Sequence, residues 1–175
     1  MTAWLLAGTS VSAVLLLAGG VPAGGAPAQG LGLPVLFAGE SVDELPLTRV
    51  LRGGDAGYVS FVYGDCEATD DAGCAPPMEV QVWPACRRHL GLYERGSPFG
   101  PAVERAVVRG VPAAFLDDGA RLELQTGRST VVVFAGSRGR ALRIAAALRS
   151  ADGSIPAGVA LPVPDQGALE GSAPC

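Results

Sequence analysis

Four cysteines and a single histidine are the residues in this 175-residue chain whose types and spacing first suggest chemistry. Cys66 and Cys74 bracket a short loop, Cys86 stands three residues before His89, and Cys175 ends the sequence. A Cys–His pair makes a nucleophilic thiolate only where the ring reaches the sulfur and the sulfur stays reduced. Residues three apart meet only on a helix or tight turn, and an oxidised sulfur has no thiolate to offer. His89 is therefore expected to be an exposed loop residue, with no catalytic role for Cys86. The same two residues could begin a zinc site, but the seven residues between Cys66 and Cys74 match no finger or ribbon spacing. Four cysteines in an exported domain read as two disulfides, with three connectivities open. Local closure is cheap for Cys66 with Cys74 around Gly73. That leaves Cys86 with Cys175, a bridge that would strap the tail onto the domain.

Three other groupings could bind something. Asp65, Glu67, Asp70 and Asp71 crowd carboxylates around the cysteine loop, where oxygen ligands could hold calcium weakly. Their spacing matches no EF-hand, and acids in an exposed turn need no ion, so no metal and no cofactor is expected. Arg138, Arg140 and Arg143 could form a cationic helix face for anionic headgroups or wall polymers. A solvated helix back in a chain whose basic residues are all Arg is the simpler reading. Trp83, with Tyr58 and Tyr63, could make an aromatic shelf for sugar or peptide, although alternation sends about half of such residues into a core. No Gly-x-Ser-x-Gly, Walker-type loop or His-Glu-x-x-His run is present.

The elements that must position these residues begin after a long apolar segment. Residues 3–23 are nearly all apolar, and no charge occurs before Glu40. About 20 such residues can span a bilayer, while a signal peptide needs roughly 7–15. Gly19-Gly20-Val21-Pro22 breaks the segment, and Ala26-Pro27-Ala28 offers a small-x-small cleavage site. The missing positive n-region argues the other way. Residues 1–28 are thus expected to be a signal peptide or membrane anchor. Residues 29–150 follow as an extracytoplasmic domain, and 151–175 as an extended tail pinned by Cys175. A net charge of -4 supplies no basic stripe for nucleic acid. All 13 basic residues are Arg and there is no Lys or Asn, a bias that a GC-rich genome explains.

Period-two alternation then marks strands. Leu45 to Leu51 alternates, and Pro46 confines it to an edge or first strand. Tyr58, Ser60 and Val62 should face one way, with Val59, Phe61 and Tyr63 facing the other. Met78, Val80 and Val82 share a side, and Pro84 closes that ladder. Residues 86–106 lack a period and read as a surface excursion. A meander follows through Val111–Leu116, Arg121–Thr126 and Thr130–Phe134, with Asp118-Gly119 as a hairpin signal. Leu122 and Leu124 alternate with Arg121, Glu123 and Gln125, the pattern of a sheet wet on one side. Val131 to Phe134 is apolar on both faces and should be central. Ser137 can cap a helix to about Arg149, with Ala141, Ile144, Ala145 and Leu148 toward the sheet. The tail from Ser150 onward has no period and would be disordered alone. The expected class is α+β: an antiparallel sheet of about five or six strands covered by one long helix, with two disulfides.

One resemblance rests on Leu33-Pro34, Leu45-Pro46-Leu47, the Tyr58–Tyr63 and Met78–Trp83 strands, and Arg109-Gly110-Val111-Pro112-Ala113-Ala114. It continues through Leu122–Thr126, Val131–Phe134 and the Ala141–Leu148 helix. Over residues 33–149 this order resembles small extracytoplasmic domains of unknown function in Gram-positive bacteria. Such domains occur on secreted or lipid-anchored proteins and outside the membrane in some anti-sigma factors. The cysteine-bearing insert and terminal cysteine look specific to an actinobacterial-type subgroup. The resemblance carries no catalytic residues. It departs from the anti-sigma arrangement, in which a cytoplasmic domain precedes the apolar segment.

The functional expectation is an exported, non-catalytic envelope module, monomeric, that binds or senses an envelope protein or polymer. Its expected contact residues are Arg138, Arg140, Arg143 and Trp83, with membrane association through residues 3–23. Two other classes stand beside it: a secreted hydrolase-type enzyme with an unrecognised site, and an ion-binding structural accessory.

Overall fold

Alternation decides the architecture, because each strand carries one apolar and one polar face and both must find cover. A computed structural model describes residues 34–65, 67–68, 74–93 and 103–175. Its elements in chain order are β1 (Leu36–Phe37), β2 (Ser41–Val42), β3 (Leu45–Arg52), β4 (Val59–Tyr63), β5 (Glu67–Ala68), β6 (Cys74–Ala75) and β7 (Met78–Pro84). They continue with β8 (Glu104–Val108), β9 (Val111–Leu116), β10 (Arg121–Thr126), β11 (Ser129–Phe134), α1 (Arg138–Ala147) and β12 (Arg149–Ser150). The class is α+β: a mostly antiparallel sheet with one helix. The main sheet has eight strands, in the order β2-β3-β4-β7-β11-β10-β9-β8, rather than five or six. The additional strands are β2, a two-residue stub, and β8, which begins in the last residues of the stretch expected to be a surface excursion (86–106) and runs beyond it.

Register separates the two faces. Phe61, Val80, Val133, Leu122 and Phe115 form one row across five strands, and Val59, Val82, Val131, Leu124 and Ala113 form another. These rows build the main core with Ala141, Ile144, Ala145 and Leu148, none of which is exposed. β11 is covered on both sides, Val131 and Val133 by the main core and Thr130, which donates to Arg88 O, and Val132 by the second layer, which accounts for its two buried faces. Helix α1 stops at Ala147, and the chain turns extended at Leu148 so that Arg149–Ser150 can pair with β1. Ser137 occupies the N-cap position without a side-chain capping bond. At the other end Arg109 does the capping, its Nη1 donating to the carbonyls of Ala145 at 3.1 Å and Leu148 at 2.5 Å. A cation satisfying the last carbonyls of a helix also complements its dipole.

The intervening rows define the second face: Ser60, Gln81, Val132, Glu123, Ala114 and Arg105 line up across six strands. This face is not wet at β10. Glu123 and Gln125 have no exposure, because residues 85–93 and the C-terminal tail lie over it. Leu90 packs on Ala114 and Leu116, joined by Tyr93, Val103 and Leu169. The supposed surface excursion is therefore, in its first part, a second layer. The tail is ordered on both faces, Leu161 in the main core and Ala168, Leu169 and Ala173 in the second layer. Leu161 N donates to Arg109 O, Thr126 Oγ1 to Pro162 O and Gly91 N to Leu169 O. Cys86 and Cys175 form a disulfide across 89 residues, with their Cα atoms 5.4 Å apart. The other expected bridge falls on Cys66, outside the described residues. β5 and β6 form a separate two-stranded ladder beside it.

No helix among the described residues is long and apolar enough to cross a membrane. Residues 3–23 lie outside them.

Candidate functional site

The second face carries most of the clustered polar chemistry, and it is built as a network. From β7, Trp83 Nε1 donates to Gln81 Oε1 at 2.8 Å, and Gln81 Nε2 donates to Glu79 Oε1 at 2.7 Å. Ser60 Oγ of β4 donates to the same Glu79 oxygen. Side chains two apart on one strand share a face, so three alternating residues form a continuous ladder. Beside it, Glu123 takes an ion pair from Arg88 and a 2.9 Å hydrogen bond from the Tyr93 hydroxyl. Arg121 Nε lies 3.8 Å from the same carboxylate oxygen. Gln125 Oε1 accepts from Leu90 N at 3.2 Å and lies 3.1 Å from Thr130 Oγ1. Burial alone would lower the Arg88 pKa, but the bonded Glu123 carboxylate raises it above its ordinary value. Burial is also the main cause that raises the Tyr93 phenol, with the neighbouring Glu123 charge second.

Trp83 is half-buried within this array. The Tyr58 ring stacks on it with centroids 4.1 Å apart, and the Arg88 guanidinium carbon lies 5.6 Å from its centroid. Gly53 abuts Tyr58 so closely that a Cβ would fall 1.8 Å from Cε1. The aromatic pair is thus fitted into the fold between a turn and a cation. Tyr63 lies on the opposite face, wholly buried, where its hydroxyl accepts from Ala38 N at 2.8 Å. The three aromatic residues do not share a shelf.

The helix arginines are each engaged. Asp43, in the β2–β3 turn, accepts from Arg143 Nη2 at 2.9 Å and from Arg140 Nε at 3.2 Å. Arg143 is the main cause that holds the Asp43 carboxyl below its usual value. Arg140 also donates to Pro77 O. Arg138 pairs with Glu104 and lies over the Phe115 ring, 4.0 Å from its centroid. These contacts tie α1 to the sheet and neutralise much of its cationic face. Arg138 and Arg143 still keep about half or more of their side-chain surface in solvent.

Cys86 is bonded to Cys175 and has no thiolate to offer. His89 does not stand free in a loop: its Nδ1 is 3.1 Å from Leu169 O, in contact with the tail. No group of three or more metal-ligating side chains occurs among the described residues. Asp70 and Asp71 of the acidic loop lie outside them.

A surface that sequence reasoning missed lies at the sheet's last strand. Among the described residues β8 pairs only with β9, through a two-residue turn in which Arg109 and Gly110 have φ of 51° and 81°. In such a hairpin Val108 and Val111 form a hydrogen-bonded pair, so Val107 and Pro112 form the next, non-hydrogen-bonded one. The Val107 N–H and C=O therefore point off the sheet's edge. Its side chain is 76% exposed, more than any other large hydrophobic among the described residues. Next to it lies a groove of about 440 Å³ lined by Leu90, Arg105, Val107, Pro112 and Leu169. A second groove, about 560 Å³, shares Pro112 and Leu169 and is walled by the tail. The signal in the sequence was Val107-Val108-Arg109-Gly110-Val111, a short turn between β-branched residues.

The fold and this edge define a class of domain, an antiparallel α+β sheet strapped by a terminal disulfide. Beyond that class, the chain matches no family model, no curated protein and no solved structure.

Proposed function

We propose that the chain is an exported, disulfide-stabilised envelope domain that binds a partner protein and catalyses no reaction. The observation that carries this reading is the β8 edge, with Val107 76% exposed beside an apolar groove. Sheet edges offer unpaired N–H and C=O groups, and proteins ordinarily blunt them with charge, proline or a covering segment. An aliphatic residue at such an edge costs solubility unless something covers it. Export is supported by the Cys86–Cys175 bridge, since such bonds persist in oxidising compartments, and by the apolar run at residues 3–23. The likeness to extracytoplasmic domains of Gram-positive envelopes agrees with it. The test is a photo-reactive side chain placed at Val107 in the producing cell, with the same group at exposed Leu51 as control. The reading expects a discrete adduct to another envelope protein from position 107 alone. Equal labelling from both positions, or none from either, would refute it.

A further inference from the structure

We infer that the Cys86–Cys175 bridge is a redox latch: an extracytoplasmic dithiol reduces it in the folded chain, releasing residues 166–175 and dismantling the grooves that the tail walls. What the grooves serve rests on the binding-domain reading above; the latch itself does not.

Little besides the bridge holds the end of the tail. As far as Asp165 the backbone anchors it: Leu161 N donates to Arg109 O and Asp165 N to Gly127 O, each at 2.9 Å. Beyond Asp165 the bonds to other segments are few among the described residues. Leu169 O accepts from Gly91 N at 2.9 Å and lies 3.1 Å from His89 Nδ1, and Arg128 Nη2 donates to Pro174 O at 2.7 Å. The buried side chains there are Ala168 and Ala173, set against Ala85, with Leu169 partly covered. Two methyl groups and part of a leucine return far less free energy than ordering that length of backbone takes. The covalent bond supplies the difference. What this end of the tail builds is the larger groove: apart from Pro112, every residue lining it lies between Pro164 and Ser172. The smaller groove shares Leu169 and would lose that wall.

The bridge is also placed to be opened. Cys175 is exposed and Cys86 half-buried, so a thiolate reaches the Cys175 sulfur without unfolding the chain. Cys86 sits in the turn where Arg87 N and Arg88 N both bond Pro84 O, and Arg87 is exposed. Arg128 stands beside both halves: its carbonyl accepts from Ala85 N while its guanidinium holds Pro174 O. Cations beside a cysteine stabilise its thiolate, and a stabilised thiolate leaves faster. In the first step a thiolate of the dithiol attacks Cys175 Sγ, the S–S bond breaks, and its electron pair leaves on Cys86 Sγ. In the second, the other thiol of the reductant attacks the mixed disulfide as its thiolate, and Cys175 leaves as a thiolate. Two electrons pass to the bridge from the dithiol, which becomes a disulfide. The two protons it gives up return to the cysteines through water.

The experiment exposes the full chain in detergent to dithiothreitol, with and without urea, and follows Cys86 and Cys175 by alkylation and peptide mapping. The native rate is expected within about tenfold of the rate in urea, because the sulfur is reached without unfolding. In the reduced chain the Gly91 amide should exchange at least about tenfold faster, while the Val131–Val133 amides stay protected. In the Cys86→Ser, Cys175→Ser chain, at equal abundance in the cell, the adduct from position 107 should be lost. A bridge that opens more slowly than that in the native chain overturns the inference. So does a reduced chain in which Gly91 stays protected, or one in which Val131–Val133 lose protection with it. An undiminished adduct from position 107 in the double-serine chain overturns it as well. If position 107 gives no adduct even in the bridged chain, the binding-domain reading falls and exchange at Gly91 still decides the latch.

Discussion

Arg88 and Glu123 meet as an ion pair beneath a second layer of chain, the carboxylate with no exposure and the arginine side chain 20% exposed. The pair joins two parts of the fold far apart in sequence, the segment after Cys86 and the middle of β10. It holds the layer that makes the second face an interior. Removing one partner of a buried pair typically costs about 3–5 kcal/mol; here Arg121 Nε, 3.8 Å from the same oxygen, and the Tyr93 hydroxyl still face the carboxylate when Arg88 is lost.

Arg88→Ala should therefore lower the urea midpoint by an amount equivalent to about 3 kcal/mol, the low end of that range because Arg121 and Tyr93 remain on the carboxylate, with an unchanged m-value. The double variant Arg88→Met, Glu123→Leu should be less damaged than Arg88→Ala alone, because it leaves no unpaired charge. A double variant that is the sum of both singles would show that the two side chains do not interact.

The Cys86–Cys175 bridge closes a loop of 89-residue separation. On the chain-entropy model a loop of that length contributes about 4–5 kcal/mol. Replacing both cysteines with serine should cost about that much. It should also speed exchange at the Gly91 amide, which bonds Leu169 O. Exchange that stays slow at Gly91 would mean that the tail holds without its covalent strap.

Tyr63 illustrates a buried polar contact on the other face. Its hydroxyl accepts from Ala38 N, and burial raises the phenol pKa well above its ordinary 10. Tyr63→Phe should cost about 1–3 kcal/mol by stranding the Ala38 N–H. The sign of the pH dependence follows from the raised value. The unfolded chain loses this proton first, so the contribution is complete below about pH 10 and is lost as pH rises through the folded pKa. Spectrophotometric titration should show this tyrosine ionising only together with unfolding. A normal pKa in the folded chain would contradict it.

Much of this was legible in the sequence. Val59–Tyr63, Met78–Trp83 and Val131–Phe134 alternate in the phase the sheet uses, and Ala141, Ile144, Ala145 and Leu148 are buried as their spacing requires. The second layer was not legible. Glu123 and Gln125 read as solvent-facing because a polar residue alternating with leucine looks the same whether water or another segment covers it. The cover comes from residues 85–93 and 168–175, which have no period, and only the cysteine pairing pointed to it. The helix arginines were read as one face, but Asp43 and Glu104 come from turns and strands distant in sequence. β8 was missed because a five-residue strand with an exposed edge carries little alternation.

What covers Val107 decides whether the β8 edge is a binding surface. Amide exchange compared between the isolated chain and the same chain captured with its envelope partner measures this directly. The account predicts new protection confined to Glu104–Val108 and the adjoining tail, with α1 unchanged. Protection at Arg138–Ala147, with β8 exchanging as in the isolated chain, would contradict it.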